Sequence, residues 1–165
     1  MQVSETGPTA NGVAQDSAAE TGTAGPVLQV LAQYTKDVSF ENPNAPESLR
    51  NGQEAPAINV NIEIRRQTFS DDTIEVVLML KAVARRSDAI VFIAEVEYAG
   101  LFAIQNIPSD EMLPVIMVEC PRLLFPFARQ IIAEITQNGG YPPIMLEPPD
   151  FAAMFRDKLD TSIND

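Results

Sequence analysis

Few side chains in this sequence are equipped for catalysis. The 165 residues contain no histidine and one cysteine, Cys120. The commonest general base and the commonest metal ligand are therefore missing. Cys120 stands in an apolar run beside Pro121 and Arg122. A reactive thiolate needs a basic neighbour and partial exposure, so Cys120 reads as a small buried hydrophobe. Asp71, Asp72 and Glu75 gather carboxylates at a turn but lack the further oxygens and the glycine of a calcium loop, and they read as solvated. No Gly-rich phosphate loop, paired-cysteine zinc site or serine-nucleophile elbow is present. We expect no enzyme, no cofactor and no metal. What remains is binding chemistry. Glu95 and Glu97 share a strand face with Val91 and Ile93, opposite an apolar stripe. Apolar side chains also lie in two expected loops, at residues 40–49 and 141–146, where loops are ordinarily wet.

The elements that must position these residues follow from periodicity. Residues 27–40 alternate in part, which predicts a first strand with an irregularity near Tyr34. Residues 41–56 hold three prolines and one glycine and read as a long loop or crossover. Ile58, Val60, Ile62 and Ile64 alternate with polar residues, a half-wet strand. Ser70-Asp71-Asp72 is a turn. Residues 74–83 form a third strand with Val76, Leu78, Leu80 and Ala82 on one face. Ser87-Asp88 turns again, and residues 90–104 form a fourth strand. Its Ile90, Phe92, Ala94 and Val96 share one face; Val91, Ile93, Glu95 and Glu97 share the other. The short links predict an antiparallel meander. Ser109 is the expected N-cap of a long helix with Asp110 and Glu111 in its first turn. Pro121 and Pro126 should bend or break it, and Gly139-Gly140 should end it. This helix reads as apolar on nearly every side, which calls for cover on more than one side, by another subunit or by the terminal helix wrapping over it. Residues 141–146 form a proline-stiffened apolar linker, and Asp150 caps a short last helix carrying Phe151, Met154, Phe155 and Leu159. The fold class is α+β: a four-stranded antiparallel sheet with one long helix and one short C-terminal helix packed on one face.

The length fits one domain, here residues 27–160. Residues 1–26 lack the apolar content to offset ordering entropy and read as a disordered tail; residues 161–165 read as a frayed tail. The net charge of -12 repels phosphate backbones and anionic lipid, so nucleic acid and direct membrane insertion are not expected. No apolar run reaches the ~20 residues of a membrane span, the N-terminus carries no secretory signal, and a lone cysteine suits a reducing compartment. A cytoplasmic location is expected.

Two long stretches carry a resemblance. Tyr34-Thr35-Lys36-Asp37-Val38-Ser39-Phe40-Glu41-Asn42-Pro43-Asn44-Ala45-Pro46 closely resembles the N-terminal signature of the SecB family of bacterial export chaperones. Cys120-Pro121-Arg122-Leu123-Leu124-Phe125-Pro126-Phe127-Ala128-Arg129 resembles its helix signature. Residues 92–102 and 141–155 are similar too, and the likeness spans about residues 27–159 in family order. The chain departs from the family in having no tryptophan, and in Ala94 where some members have cysteine.

The resemblance implies an ATP-independent holdase that binds unfolded preproteins, keeps them translocation-competent and hands them to the motor ATPase SecA. It implies a homotetramer, a dimer of dimers, with the long helices between the sheets. It implies docking of the basic tail of SecA on an acidic face through Asp37, Glu41, Ile93 and Glu95. Clients would lie in apolar grooves drawing on Phe40, Leu49, Leu124, Phe125, Tyr141, Ile144, Met145 and Phe155. Two other readings of the same surfaces are a chaperone dedicated to one partner, of the toxin–antitoxin type, and a carrier of a small apolar ligand. Neither needs an acidic docking face.

Overall fold

The structure, a computed structural model, describes residues 24–163. Residues 1–23 of the expected 1–26 tail, and residues 164–165 of the expected C-terminal tail, lie outside the described residues. Four strands come first: β1 (Val27–Glu41), β2 (Ala57–Ser70), β3 (Thr73–Arg86) and β4 (Ala89–Gln105). All neighbours are antiparallel and the order is β1-β4-β3-β2. The segment between β1 and β2 must therefore cross the sheet from one edge to the other. That explains why a proline-rich stretch of this length separates them; it carries one short 3-10 turn, Glu47–Leu49.

The helical half begins with α1 (Ser109–Pro114), continues through a widened π turn (Val115–Glu119) into α2 (Cys120–Asn138), and ends with α3 (Phe151–Ile163). The helix thus runs to Ile163, past the residue 160 domain boundary drawn from sequence. α2 lies across β3 and β4, and α3 packs against the π turn. The core is the layer between: Val76, Leu78, Leu80, Ala82, Phe92, Ala94 and Val96 from the sheet meet Leu124, Phe125, Ala128 and Ile132 from α2. Burying each large aliphatic side chain stabilises by about 1.5–3 kcal/mol.

Four local expectations are corrected. Ser109 is not the N-cap: Pro108 holds that place at φ -54, ψ 144, and no side chain caps the helix. Those angles are the ones a proline ring allows, so the chain enters the helix one residue early. Of the bend or break expected at Pro121 and Pro126, no break occurs. A proline lacks the N–H of the helical ladder and crowds the carbonyl four residues back, which for Pro121 is that of Met117. The π turn widens the helix there, with the Cys120 N–H donating to the Val115 carbonyl. Pro126 sits on the exposed side of α2. Val91 is buried rather than outward facing, because the β3–β4 register slips between Ala84↔Phe92 and Arg85↔Ile90. Val91 is the extra residue of that bulge, and a bulge breaks alternation. Finally, α2 is not apolar all round. Its exposed positions include Arg122, Gln130, Glu134 and Gln137, and its exposed large hydrophobics are Leu123 and Phe127 in the first half.

Candidate functional site

Two faces of the sheet carry different chemistry. On the outer face, strand register assembles the acidic residues. Cross-strand partners in an antiparallel pair point the same way, and Asp37 pairs with Glu97, Ser39 with Glu95 and Glu41 with Ile93. The register places Asp37, Glu41, Ile93 and Glu95, the four residues that the resemblance singles out, on two adjacent strands. β3 and β2 extend the patch, since Glu95 faces Lys81 and Lys81 faces Asn61, while Glu97 faces Met79 and Met79 faces Glu63. Asp37, Asn61, Glu63, Lys81, Glu95 and Glu97 line a shallow cleft of about 80 Å³.

Cations from the same face partly neutralise it. Lys81 Nζ lies 2.5 Å from Glu95 Oε1 and Arg65 lies 3.7 Å from Glu97. A third cluster explains why Asp37 points outward. β1 slips register between Thr35 and Asp37, leaving Lys36 as an extra residue. Without that bulge Asp37 would turn toward the core. Glu75 on β3 grips both sides of the slip: the Tyr34 hydroxyl donates to it at 2.5 Å, and Lys36 Nζ donates at 3.0 and 3.1 Å. The Tyr34 bond holds the Glu75 carboxyl below its ordinary range, with Lys36 adding to the effect. The same bond pushes the Tyr34 hydroxyl up to about 12. The sequence marked an irregularity near Tyr34 and read Glu75 as part of a solvated turn. Its role as a clasp across three strands is visible only in the fold.

On the inner face the expected apolar residues divide. Phe40, Phe92 and Tyr141 form one aromatic cluster, with centroids 5.6 Å apart for Phe40 and Phe92 and 4.7 Å for Phe92 and Tyr141. The cluster fastens the crossover to the end of α2. The Tyr141 hydroxyl donates to Asn42 Oδ1 at 2.8 Å, Ser48 Oγ lies 2.8 Å from that hydroxyl, and Asn42 Nδ2 donates to the Gly139 carbonyl at 3.3 Å. A Cβ at Gly139 would meet the Phe40 ring at 2.2 Å, so only glycine lets the ring approach. Gly140, at φ +92, takes the left-handed conformation that ends the helix. Leu49 lies over Gly140 and is exposed. Thr136 Oγ1 accepts from the Ile144 N–H at 3.1 Å, pinning the linker to α2.

The other expected groove residues are elsewhere. Met145 is 61% exposed beside α2, with Pro126, Arg129 and Gln130. Phe155 lines a separate apolar pocket with Pro114, Val115 and Val118. Leu124 and Phe125 are in the core, Phe125 edge-on to Phe151. Sequence reasoning missed Ile58 and Val60. They share rows with buried Ala84 and Ala82 yet remain 44% and 41% exposed, because the core packs on Ile62 and Ile64 further along β2 and leaves its first residues open. Their alternation was legible; the absence of cover was not.

Cys120 is buried beside this core, and burial, with the Glu119 charge second, pushes its thiol up to about 12. In the unfolded chain it would ionise near ~8.5. The folded protein holds that proton longer, so this group's contribution is complete below the unfolded value and is lost as pH rises from about 8.5 toward 12. We expect Cys120 to resist a thiol reagent at neutral pH and to react fully in denaturant; rapid native labelling would contradict its burial. Among the described residues, no group of three or more Asp, Glu or Cys is placed to hold a metal, and no helix is long and apolar enough to cross a membrane.

Comparison with known proteins identifies the family. A family model described as preprotein translocase subunit SecB matches residues 21–162. The protein-export protein SecB of Maricaulis maris is 53% identical over 134 residues, covering 81% of this chain and 78% of that protein. The SecB of Agrobacterium fabrum is 52% identical over 138 residues, covering 84% and 86%. A solved SecB-like chaperone from Mycobacterium tuberculosis, in complex with an antitoxin peptide, shares the fold with a TM-score of 0.61 at 16% identity, over 74% of this chain and 90% of that one. With the family model covering most of its length and relatives at half identity, the chain belongs to the SecB family of protein-export chaperones.

Proposed function

We propose that this protein is a cytoplasmic holdase: without ATP and without catalysis it keeps unfolded preproteins translocation-competent and delivers them to SecA. The observation that carries the reading is apolar surface left uncovered on the side of the sheet that faces the helices. Ile58 and Val60 on β2 and Val38 on β1 stand in the same cross-strand rows as core residues, and all three are exposed. Leu49 and Met145 add apolar side chains on the crossover and the linker. An unfolded chain offers apolar side chains at no fixed spacing, and apolar burial at ~25 cal/mol per Å² rewards any of them. Several such surfaces on one assembly add avidity without a sequence code.

The assembly in this reading is a homotetramer, a dimer of dimers. Leu123 and Phe127 on α2 supply apolar surface for subunit contact, Phe127 stacked on Tyr98. Handover uses the acidic outer face. Basic groups of SecA would meet Asp37, Glu41 and Glu95, with Ile93 giving an apolar contact at the same spot. Opposite charge speeds encounter and makes it sensitive to salt.

The test is to dilute a denatured precursor into buffer with and without the protein, in the absence of nucleotide. The expected result is suppressed aggregation and slowed folding, with sedimentation at micromolar concentration giving a tetramer. A protein that sediments as a monomer, or that leaves precursor folding and aggregation unchanged, would defeat the reading.

A further inference from the structure

We propose that Lys81 is a built-in competitor for the docking face: its ammonium occupies Glu95 and must be displaced when a basic partner arrives. This deepens the docking reading above and rests on it. Lys81 projects from the middle of β3, directly opposite Glu95 in the register, with Nζ 2.5 Å from Glu95 Oε1. Both side chains are about half exposed, at 48% and 40%. An exposed pair of this kind adds little to folding, so stability is a weak reason for it. The Lys81 ammonium is held more tightly than usual by the hydrogen bond to Glu95, then by the charges of Glu95 and, further off, Glu41. Lys81 thus lies within the field of two of the docking carboxylates. Among the described residues no ion pair joins Asp37 or Glu41.

The arrangement has a consequence for selectivity. A cation arriving at Glu95 gains only the difference between its own pair and the one it replaces, and it approaches against the charge of Lys81. A single stray lysine therefore gains little. A partner that also presents cations to unpaired Asp37 and Glu41 can displace Lys81 and bind. Lys81 raises the threshold for docking and shortens the life of the complex, which suits a carrier that must let go. Specificity built from a cost imposed on the wrong partner is a known device.

The experiment compares Lys81→Gln with Arg50→Gln, which removes the same charge from an ion pair with Glu47 in the crossover. The dissociation constant for purified SecA is measured on the full chain at about 0.15 M salt, where charges beyond ~8 Å are screened. Lys81→Gln is expected to tighten docking by about 2- to 5-fold, the range an exposed pair can supply. Arg50→Gln is expected to leave it unchanged. The gain should vanish when Lys81→Gln is placed on a Glu95→Gln background. Equal effects of the two lysine and arginine variants would reduce the role of Lys81 to net charge, and weaker docking by Lys81→Gln would make it an orienting residue; either overturns the proposal. If Glu95→Gln alone binds SecA as tightly as the parent, the docking reading itself fails and this inference with it. If Glu95→Gln weakens docking but Lys81→Gln does not tighten it, only the Lys81 inference fails.

Discussion

Leu124→Ala is expected to lower folding stability by about 2–5 kcal/mol, the usual cost of emptying a leucine site in a packed core. The side chain has no exposed surface and belongs to the cluster between α2 and the sheet. A Cβ at Gly100 would come within 2.8 Å of its Cδ2 atom, so β4 and α2 meet at Leu124 with no room to spare. Removing three carbons from so close a contact leaves a void that neighbouring strands cannot collapse to fill. Denaturant unfolding at fixed protein concentration measures the effect. The residue also decides between two roles. A groove residue would lose affinity for unfolded precursor with the melting curve intact. A core residue loses stability first, and any loss of client holding tracks the unfolded fraction. The placement of Leu124 predicts the second outcome.

Reversing charge at Glu95 or Asp37 is expected to weaken SecA binding by roughly 10-fold or more while client holding is unchanged. Glu95→Lys would set two cations against each other across one rung of the β3–β4 ladder, where Lys81 now has a carboxylate. Asp37→Lys would put a cation beside the Lys36 bulge and remove an unpaired acid from the edge-strand side of the face. Like charges at such distances repel an incoming basic segment and slow its approach. The parent interaction should weaken as salt rises, and the variants should show a shallower dependence. Isothermal titration at two salt concentrations, with precursor aggregation assayed in parallel, gives both readouts. Equal loss of docking and client holding would locate the damage in the fold rather than in the face.

Much of the architecture was legible from residue order. Period-two alternation in β2, β3 and β4 reflects the pleat, in which successive side chains take opposite faces. Short polar turns at Ser70-Asp71-Asp72 and Ser87-Asp88 leave no path but an antiparallel return. Gly139-Gly140 and Asp150 announce a helix end and a helix start through backbone freedom and a side-chain acceptor, and Asp150 Oδ1 does accept the Ala153 N–H at 2.9 Å. The grouping of Asp37, Glu41, Ile93 and Glu95 was available from family resemblance, and strand register supplies its physical basis.

What stayed hidden depends on contacts between residues far apart in sequence. Alternation says which side chains share a face; it does not say where a bulge reverses that face, as at Lys36 and Val91, because a bulge is set by the partner strand and by grips such as Glu75. Periodicity marks Ile58 and Val60 as apolar but not as uncovered, since cover depends on where along β2 the core packs. Leu123, Leu124, Phe125 and Phe127 are neighbours of one kind on α2, yet Leu124 and Phe125 are sealed in the core while Leu123 and Phe127 face solvent, because rotation of α2 against the sheet sorts them. The sequence by itself determined that this chain builds a meander with a helical layer, carries no histidine chemistry and is strongly acidic. Tertiary structure alone decided which apolar residues are spare, which carboxylates stand free, and that Lys81 already holds one of them.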